Sequence, residues 1–436
     1  MNFAWPDPPE PVATPDDLPP QPAVAPRVKV LHVITRFWAG AGGNTLVSAL
    51  GMDPLRYEVW IAGVPGGPLW ERARAAGISC VELRDFHEYI APFADLRVFL
   101  RMIRLMRRER FQIVHTHSSK AGVMGRLAAW IARTPIIVHT FHGFSFHDFM
   151  SVRRRAAYLF LERLAQPAAD EIFAVAPQIA REAVERRLAR PGQISVVPSA
   201  VELDQIPFET DPTVRAELGI PESSPLIGTV GRLDFQKSPV DFVRMAALVA
   251  HERPDARFVM VGDGMLEQEA REEAAKLGAP VLFTGFRPDA ARIASAFDVF
   301  VVSSLYEGLG RSLTEALASG RPAVATAVNG VPDLVEPGAT GLLVNPRDPK
   351  ALAASVLWMI EHPEEARRMG ELGRARVRSI FVPAQMCALL DGAYRRLLGL
   401  PEQGGVAGAA PRLRIDRSRG RRIRQSVVDG RTRDAS

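Results

Sequence analysis

The chain has 436 residues, of which 47% are hydrophobic, and a formal net charge of +5; this length exceeds one ordinary core and suits two domains of roughly 150–200 residues. The apolar share excludes a disordered chain, and no apolar stretch reaches the ~18 uncharged residues that span a bilayer. The start, Met1-Asn-Phe-Ala-Trp-Pro, lacks the basic and apolar regions of a secretory signal, and the lone, distant Cys80 and Cys387 exclude a disulfide framework or thiolate metal site, so a cytoplasmic α/β protein is expected.

The charge is unevenly placed. Residues 411–436 hold nine arginines against three aspartates, which leaves the remainder close to neutral. The segment 401–436 therefore reads as a disordered basic tail, a solvated appendage that could touch anionic lipid or nucleic acid. Residues 1–27, with nine prolines and four acids, read as an unfolded lead-in. Between them, strand-like runs alternate with helical stretches, the pattern of parallel sheets covered on both faces. The predicted strands are 28–34, 57–62, 113–115, 136–140, 171–175 and 194–197, then 226–230, 257–261, 281–284, 299–302, 323–325 and 341–344. Each half should hold a doubly wound sheet, giving domains 28–205 and 206–382. The proline-rich stretch around 203–225 is the expected linker.

Ligands of open parallel sheets bind beyond the carboxyl ends of the strands, so the loops there carry most weight. Arg36-Phe-Trp-Ala-Gly-Ala-Gly-Gly43 follows the first strand and opens a helix. Glycines let the backbone approach a phosphate, and a helix N-terminus attracts its charge; a tight turn is the alternative reading. Asn44 stands where an acidic residue often follows. Next, the predicted helix 96–108 puts Arg97, Arg101, Arg104 and Arg108 on one face and Phe99, Met102, Ile103 and Met106 on the other, and 152–164 repeats the theme from Arg153 to Leu161. Such helices suit either an anionic bilayer surface or the charged outer side of a sheet. His115-Thr-His-Ser-Ser-Lys120 and Thr140-Phe-His-Gly143 place histidines at strand ends, as ligand contacts or as structural hydrogen-bonders. No Ser or Cys nucleophile with an ordering acid is discernible, so a hydrolase triad is unsupported.

In the second half, Gly231-Arg-Leu-Asp-Phe-Gln-Lys237 offers the cations Arg232 and Lys237 at the mouth of a strand. Tyr306-Glu-Gly-Leu-Gly-Arg-Ser-Leu-Thr-Glu315 offers Glu307, a glycine-rich loop, a helix start and Glu315. Carboxylates suit hydroxyls, while cations and backbone N–H groups suit phosphate oxygens, so together they fit a sugar joined to a diphosphate. Loss of a diphosphate develops charge that needs a metal or fixed cations. No Asp-x-Asp lies in a strand-end loop and no His/Asp cluster is visible, so Arg232 and Lys237 are expected to act without metal or other cofactor.

The pairing resembles the retaining nucleotide-sugar glycosyltransferases of family 4, which have the GT-B fold: two Rossmann-like domains facing a central cleft. The likeness runs from about residue 28 to about 398, and the two histidine motifs resemble the branch that extends sugars on polyprenyl diphosphate carriers in bacterial surface-glycan assembly. The resemblance implies that Glu307 and His142 lie at the donor sugar. It sets Gly42 and Gly43 with Arg232 and Lys237 at the donor diphosphate. The backbone of Gly308, Leu309, Gly310, Arg311 and Ser312 would meet the sugar or β-phosphate, and Glu315 the ribose. Phe286 and Arg287 would flank the base, and His117 and Lys120 become candidates for acceptor or donor contacts. It further implies a UDP-sugar donor (the letters do not separate uracil from guanine), a lipid-linked saccharide acceptor and peripheral contact with the inner face of the plasma membrane. Nucleic acid is not expected as a partner. A helix over 383–400 would return to the first domain. A soluble acceptor, a UDP-sugar 2-epimerase and a non-catalytic binding subunit are the alternatives; such epimerases lack this glutamate loop with its two cations.

Overall fold

A computed structural model of the chain describes residues 27–38, 40–147 and 149–401. The proline-rich lead-in up to residue 26 and the basic tail from 402 lie outside the described residues. Runs of aliphatic residues form two sheets. The first contains β1 (Val28–Arg36), β2 (Tyr57–Val64), β3 (Ser79–Glu82), β4 (Ile113–His117), β5 (Ile136–Phe141), β6 (Glu171–Ala174) and β7 (Ile194–Val196). The second contains β8 (Leu226–Val230), β9 (Arg257–Val261), β10 (Val281–Gly285), β11 (Val299–Val302), β12 (Ala323–Thr326) and β13 (Leu342–Val344). Central strands such as β1, β4 and β11 are buried on both sides, as only a sheet covered by helices on both faces permits.

The strand orders are β3-β2-β1-β4-β5-β6-β7 and β10-β9-β8-β11-β12-β13, with every named pair parallel. Order reverses between β1 and β4, and again between β8 and β11. At each reversal the adjoining loops diverge to opposite sides of the sheet and leave a crevice.

The reading of strands differs from the structure at β3. This edge strand pairs only with β2, from Trp60 opposite Ser79 to Gly63 opposite Glu82. All four of its residues are half-buried, so the apolar signal of a central strand is missing. The stretch expected as linker is also more structured than its prolines suggest. It holds the helix Thr213–Glu217, and Arg292 binds Asp211 at 2.6 Å and Glu217 at 2.9 Å.

The helix Pro383–Leu397 packs on the first sheet. Met386, Leu390 and Tyr394 join one apolar cluster with Val30, Tyr57 and Ile113. Asp391 accepts from Arg56 at 2.9 Å and from the Tyr57 hydroxyl at 2.8 Å, which sets the helix's register against β2.

Candidate active site

In the second sheet, the loop after β8 carries Lys237 and the loop after β11 carries Glu307. Neighbouring strands bring them together, and the Lys237 ammonium donates to Glu307 Oε1. Glu307 is buried; Ser304 donates to the same oxygen at 2.8 Å and Gln236 to Oε2 at 3.3 Å. Its backbone N–H reaches Asn329 Oδ1 at 3.0 Å. This carboxylate is fully engaged and oriented. Arg232 is exposed, held by Asp234 at 3.0 Å.

Gly310 adopts φ 91°, a left-handed turn that admits glycine without cost, and it starts the helix Arg311–Ala318. Leu309 turns inward into the core, so this segment offers a ligand its backbone rather than its leucine. The helix presents the N–H groups of its first turn together with their partial positive charge. Arg311 donates to Glu315 at 2.7 Å, one helical turn away.

The two halves meet at this loop. A Cβ on Gly308 would fall 1.8 Å from the carbonyl oxygen of His142, and one on Gly330 would fall 2.2 Å from the Gly308 carbonyl oxygen. Backbone of the second half therefore lies on backbone of the first at Gly308, and a side chain there would force the halves apart, while Gly330 packs the same loop from within its own half. Gly42 and Gly43 open the helix Ala41–Leu50 on the opposite wall. A Cβ on Gly43 would lie 2.0 Å from Arg311 Nη1, so the guanidinium rests against the glycine loop. Asn44 accepts from the Ala200 N–H at 3.1 Å, a structural tie in place of the acidic residue.

Behind His142 stands a stack of histidines from adjacent strands. His117 Nδ1 is 2.9 Å from His142 Nε2, and His117 Nε2 is 2.9 Å from His32 Nδ1. His115, tilted against His117 at a ring separation of 4.2 Å, bonds the Tyr394 hydroxyl at 2.6 Å and Thr140 at 2.7 Å. Desolvation holds these rings neutral: it pushes His142 down to about 4 and His32 to about 3, and both His115 and His117 well below the ordinary histidine range. Where no His/Asp cluster was expected, the strand order gathers a group of histidines. Nitrogens of His32, His115 and His117 lie within 4.8 Å of one another, but His115 and His117 commit both of theirs to hydrogen bonds and His32 commits one.

Two of the expected contact residues have internal partners. His117 is buried, with its two nitrogens hydrogen-bonded to His32 and His142. Lys120 donates to the backbone of His87 and Tyr89, at 2.8 and 2.6 Å, and pairs with Asp95, fastening a loop to the helix Pro92–Glu109. Of the two residues expected at the base, Phe286 is exposed, while the Arg287 side chain turns to Asp289 at 2.7 Å and Glu217 at 2.6 Å.

The loop after β5 crosses to the second half. The His147 ring stacks on Tyr306 at 4.3 Å, and Arg347 lies 4.1 Å over Phe149. Beneath is a cavity of about 230 Å³ lined by Phe144, Phe146, Tyr306, Glu182 and Glu307 among others. Sequence reasoning did not anticipate this strap; its signal was the run of aromatics from Phe141 to Phe149.

Comparison with known proteins agrees with this geometry. Residues 31–205 match the model described as Glycosyltransferase Family 4, and residues 210–376 that described as Glycosyl transferases group 1. An Escherichia coli UDP-Gal:alpha-D-GlcNAc-diphosphoundecaprenol alpha-1,3-galactosyltransferase is 32% identical over 266 residues, covering 59% of this chain and 69% of the relative. The Staphylococcus aureus capsular polysaccharide biosynthesis glycosyltransferase CapM is 25% identical over 322 residues, 71% of this chain and 83% of its own. Among solved structures, Anabaena HepE in complex with UDP and glucose superposes with a TM-score of 0.72 at 20% identity, over 85% of this chain and 100% of that one. With each half matched and a relative at that identity, the chain belongs to the group 1, family 4 glycosyltransferases and has their GT-B fold.

Proposed function

We propose that this glycosyltransferase moves a hexose or N-acetylhexosamine from a UDP-sugar to a polyprenyl-diphosphate-linked saccharide in surface-glycan synthesis. Transfer retains the anomeric configuration, and fixed cations serve the leaving diphosphate in place of a divalent metal. The observation that carries this reading is the pairing of Lys237 with Glu307 beside a helix whose Arg311 rests against the Gly43 loop of the opposite wall.

In this reading Arg232, Lys237 and the two helix starts receive the diphosphate, whose growing charge they stabilise as the glycosidic bond breaks. Arg311 leaves Glu315 for the phosphate, which frees that carboxylate for the ribose hydroxyls. Glu307, tied to Lys237, Ser304 and Gln236, orients a sugar hydroxyl rather than acting as a free base. The acceptor hydroxyl then enters on the leaving group's face and passes its proton to the departing phosphate oxygen.

The lipid-linked acceptor draws support from the Escherichia coli relative, whose name specifies a diphosphoundecaprenol substrate, and from the outer side of the first half. No helix among the described residues is long and apolar enough to cross a membrane. On the helix Pro92–Glu109, however, exposed Phe93, Leu96 and Leu100 interleave with exposed Arg97, Arg101 and Arg104, while Met102, Ile103 and Met106 are buried. The helix Val152–Ala165 exposes Phe160 and Leu164 beside Arg153 and Arg154. Bases mixed with apolar anchors suit the interface of an anionic bilayer at the cytoplasmic face.

The test is a screen of UDP-sugars against a polyprenyl-diphosphate monosaccharide, with mass-spectrometric product detection and the new anomeric configuration read by NMR. An α-linked lipid product from an α-linked donor, formed in EDTA, is expected. Turnover abolished by EDTA and restored by magnesium would reject the fixed-cation arrangement. Transfer only to soluble sugars would reject the lipid acceptor.

A further inference from the structure

We propose that His117 and His32 are positioning residues for His142: the three imidazoles form one hydrogen-bonded chain whose protons all run in the same sense, so that the ring at the cleft is held in a single tautomer. This rests on the reading of His142 as a contact to the donor sugar.

The strand order produces the chain. His32 lies on β1, His117 ends β4 and His142 follows β5, three adjacent strands with ~4.8 Å between neighbours. Imidazoles on these neighbouring strands can therefore link in series, and both links are 2.9 Å long. A neutral imidazole has one donor and one acceptor nitrogen. Once the proton on one ring is placed, the other two follow. Either every Nδ1 carries the proton or every Nε2 does; a mixed set sets two lone pairs or two N–H groups against each other.

The closed end favours one sense. His32 Nε2 is buried and has no hydrogen-bond partner among the described residues. Orphaned N–H groups are rarer in protein interiors than under-satisfied acceptors, so a bare lone pair there, with the proton on Nδ1, is the expected form. Passed along the chain, that choice puts a proton on His142 Nδ1, a donor for a sugar or phosphate oxygen. Burial supports the arrangement by keeping the rings uncharged, since an imidazolium would present two donors and break the series. His115 braces the middle ring from the side, and its bond to Tyr394 ties the stack to the helix Pro383–Leu397.

The experiment uses the full-length protein labelled with 15N-histidine. Long-range 15N–1H correlation spectra at pH 7 separate Nδ1–H, Nε2–H and cationic rings. A uniform set for His32, His117 and His142, expected as Nδ1–H, supports the chain in either sense. Mixed tautomers, or a cationic ring among the three, overturn it. In His32→Phe and His117→Phe the His142 signals should move toward a tautomer average, with kcat lowered about tenfold and donor KM changed less than about twofold. His32→Asn, whose amide replaces Nδ1, should restore the single tautomer and most of kcat. Unchanged His142 signals in both Phe variants would overturn the proposal. So would stoichiometric zinc that is lost with His32, because coordination would take the lone pairs the chain needs. If the Phe variants do not fold, the wild-type spectrum alone still decides. Full turnover in His142→Ala would sink the donor-sugar reading instead, while the tautomer spectra would go on reporting the chain.

Discussion

On β1 and β4 and just after β5, the first half sets a stack of neutral imidazoles behind the cleft. Beyond β8 and β11, the second half meets them with charges: Lys237 on Glu307, Arg311 on Glu315, Arg232 on Asp234. The sheets are of the same kind, so the contrast does not come from the fold. It comes from depth. The histidines point back between strands, where desolvation removes charge, whereas the acids and bases sit on loops and helix starts where partners and water sustain it. One wall shapes and holds; the other carries electrostatic work.

Acid should separate the two halves most. Folded-state pKa values of the buried histidines lie below the unfolded value near 6.5. Below that pH the unfolded chain takes up protons that the folded chain refuses. Stability is therefore full above about pH 6.5 and falls as pH drops toward about 4 for His142 and about 3 for His32. Each group contributes up to ~1.4 kcal/mol per pH unit, so several together give a steep loss. In the second half His251 is exposed and His362 half-buried. Hydrogen exchange across a pH series should show the first half opening first; the reverse order would break the comparison.

The first half has an exception that sharpens it, the fully buried pair of Arg126 with Glu162 at 2.5 Å. Arg126→Met would strand a carboxylate that burial already pushes upward, and should cost about 3–5 kcal/mol in urea unfolding. Arg126→Met with Glu162→Leu should recover most of that loss.

On the charged wall, Lys237→Ala should lower kcat by about 10²–10³-fold, the range for removing a transition-state donor. Glu307→Gln should act chiefly on kcat as well. A near-normal rate in Lys237→Ala would move the diphosphate elsewhere, and one in Glu307→Gln would move the donor sugar. Gly308→Ala tests the contact between the walls. Its methyl group meets the His142 carbonyl, a backbone atom that cannot swing aside, and a displacement near 1 Å can cost ~10²-fold in turnover. Smallest of the set, Glu315→Ala should raise donor KM about tenfold with kcat nearly kept, since a ribose contact acts equally in ground and transition states. A fall in kcat at constant KM would exchange its role with that of Glu307.

Much of the architecture was legible in the amino-acid order. Aliphatic runs such as Leu226–Val230 and Val299–Val302 bury on both faces, so they announce parallel strands wherever they occur. The strand-end rule then places Arg232, Lys237, Glu307 and Gly43 at the cleft without further information. Edge strand β3 escaped because half-buried residues carry no such pattern.

Partnership was a different matter. Nothing local says that Lys237 serves Glu307, that Lys120 is spent on a loop, or that Gly308 and Gly330 exist for close backbone contact. His32 illustrates the limit: within Val30-Leu-His-Val-Ile34 it is one polar residue in a core strand, and only the adjacency of β1 to β4 sets it against His117. Periodicity along a chain reports how deeply each residue is buried, because burial follows from the faces of one element. A hydrogen bond or ion pair needs two elements at a set distance and angle, and that distance exists only once the strand order and the contact between the halves have been decided.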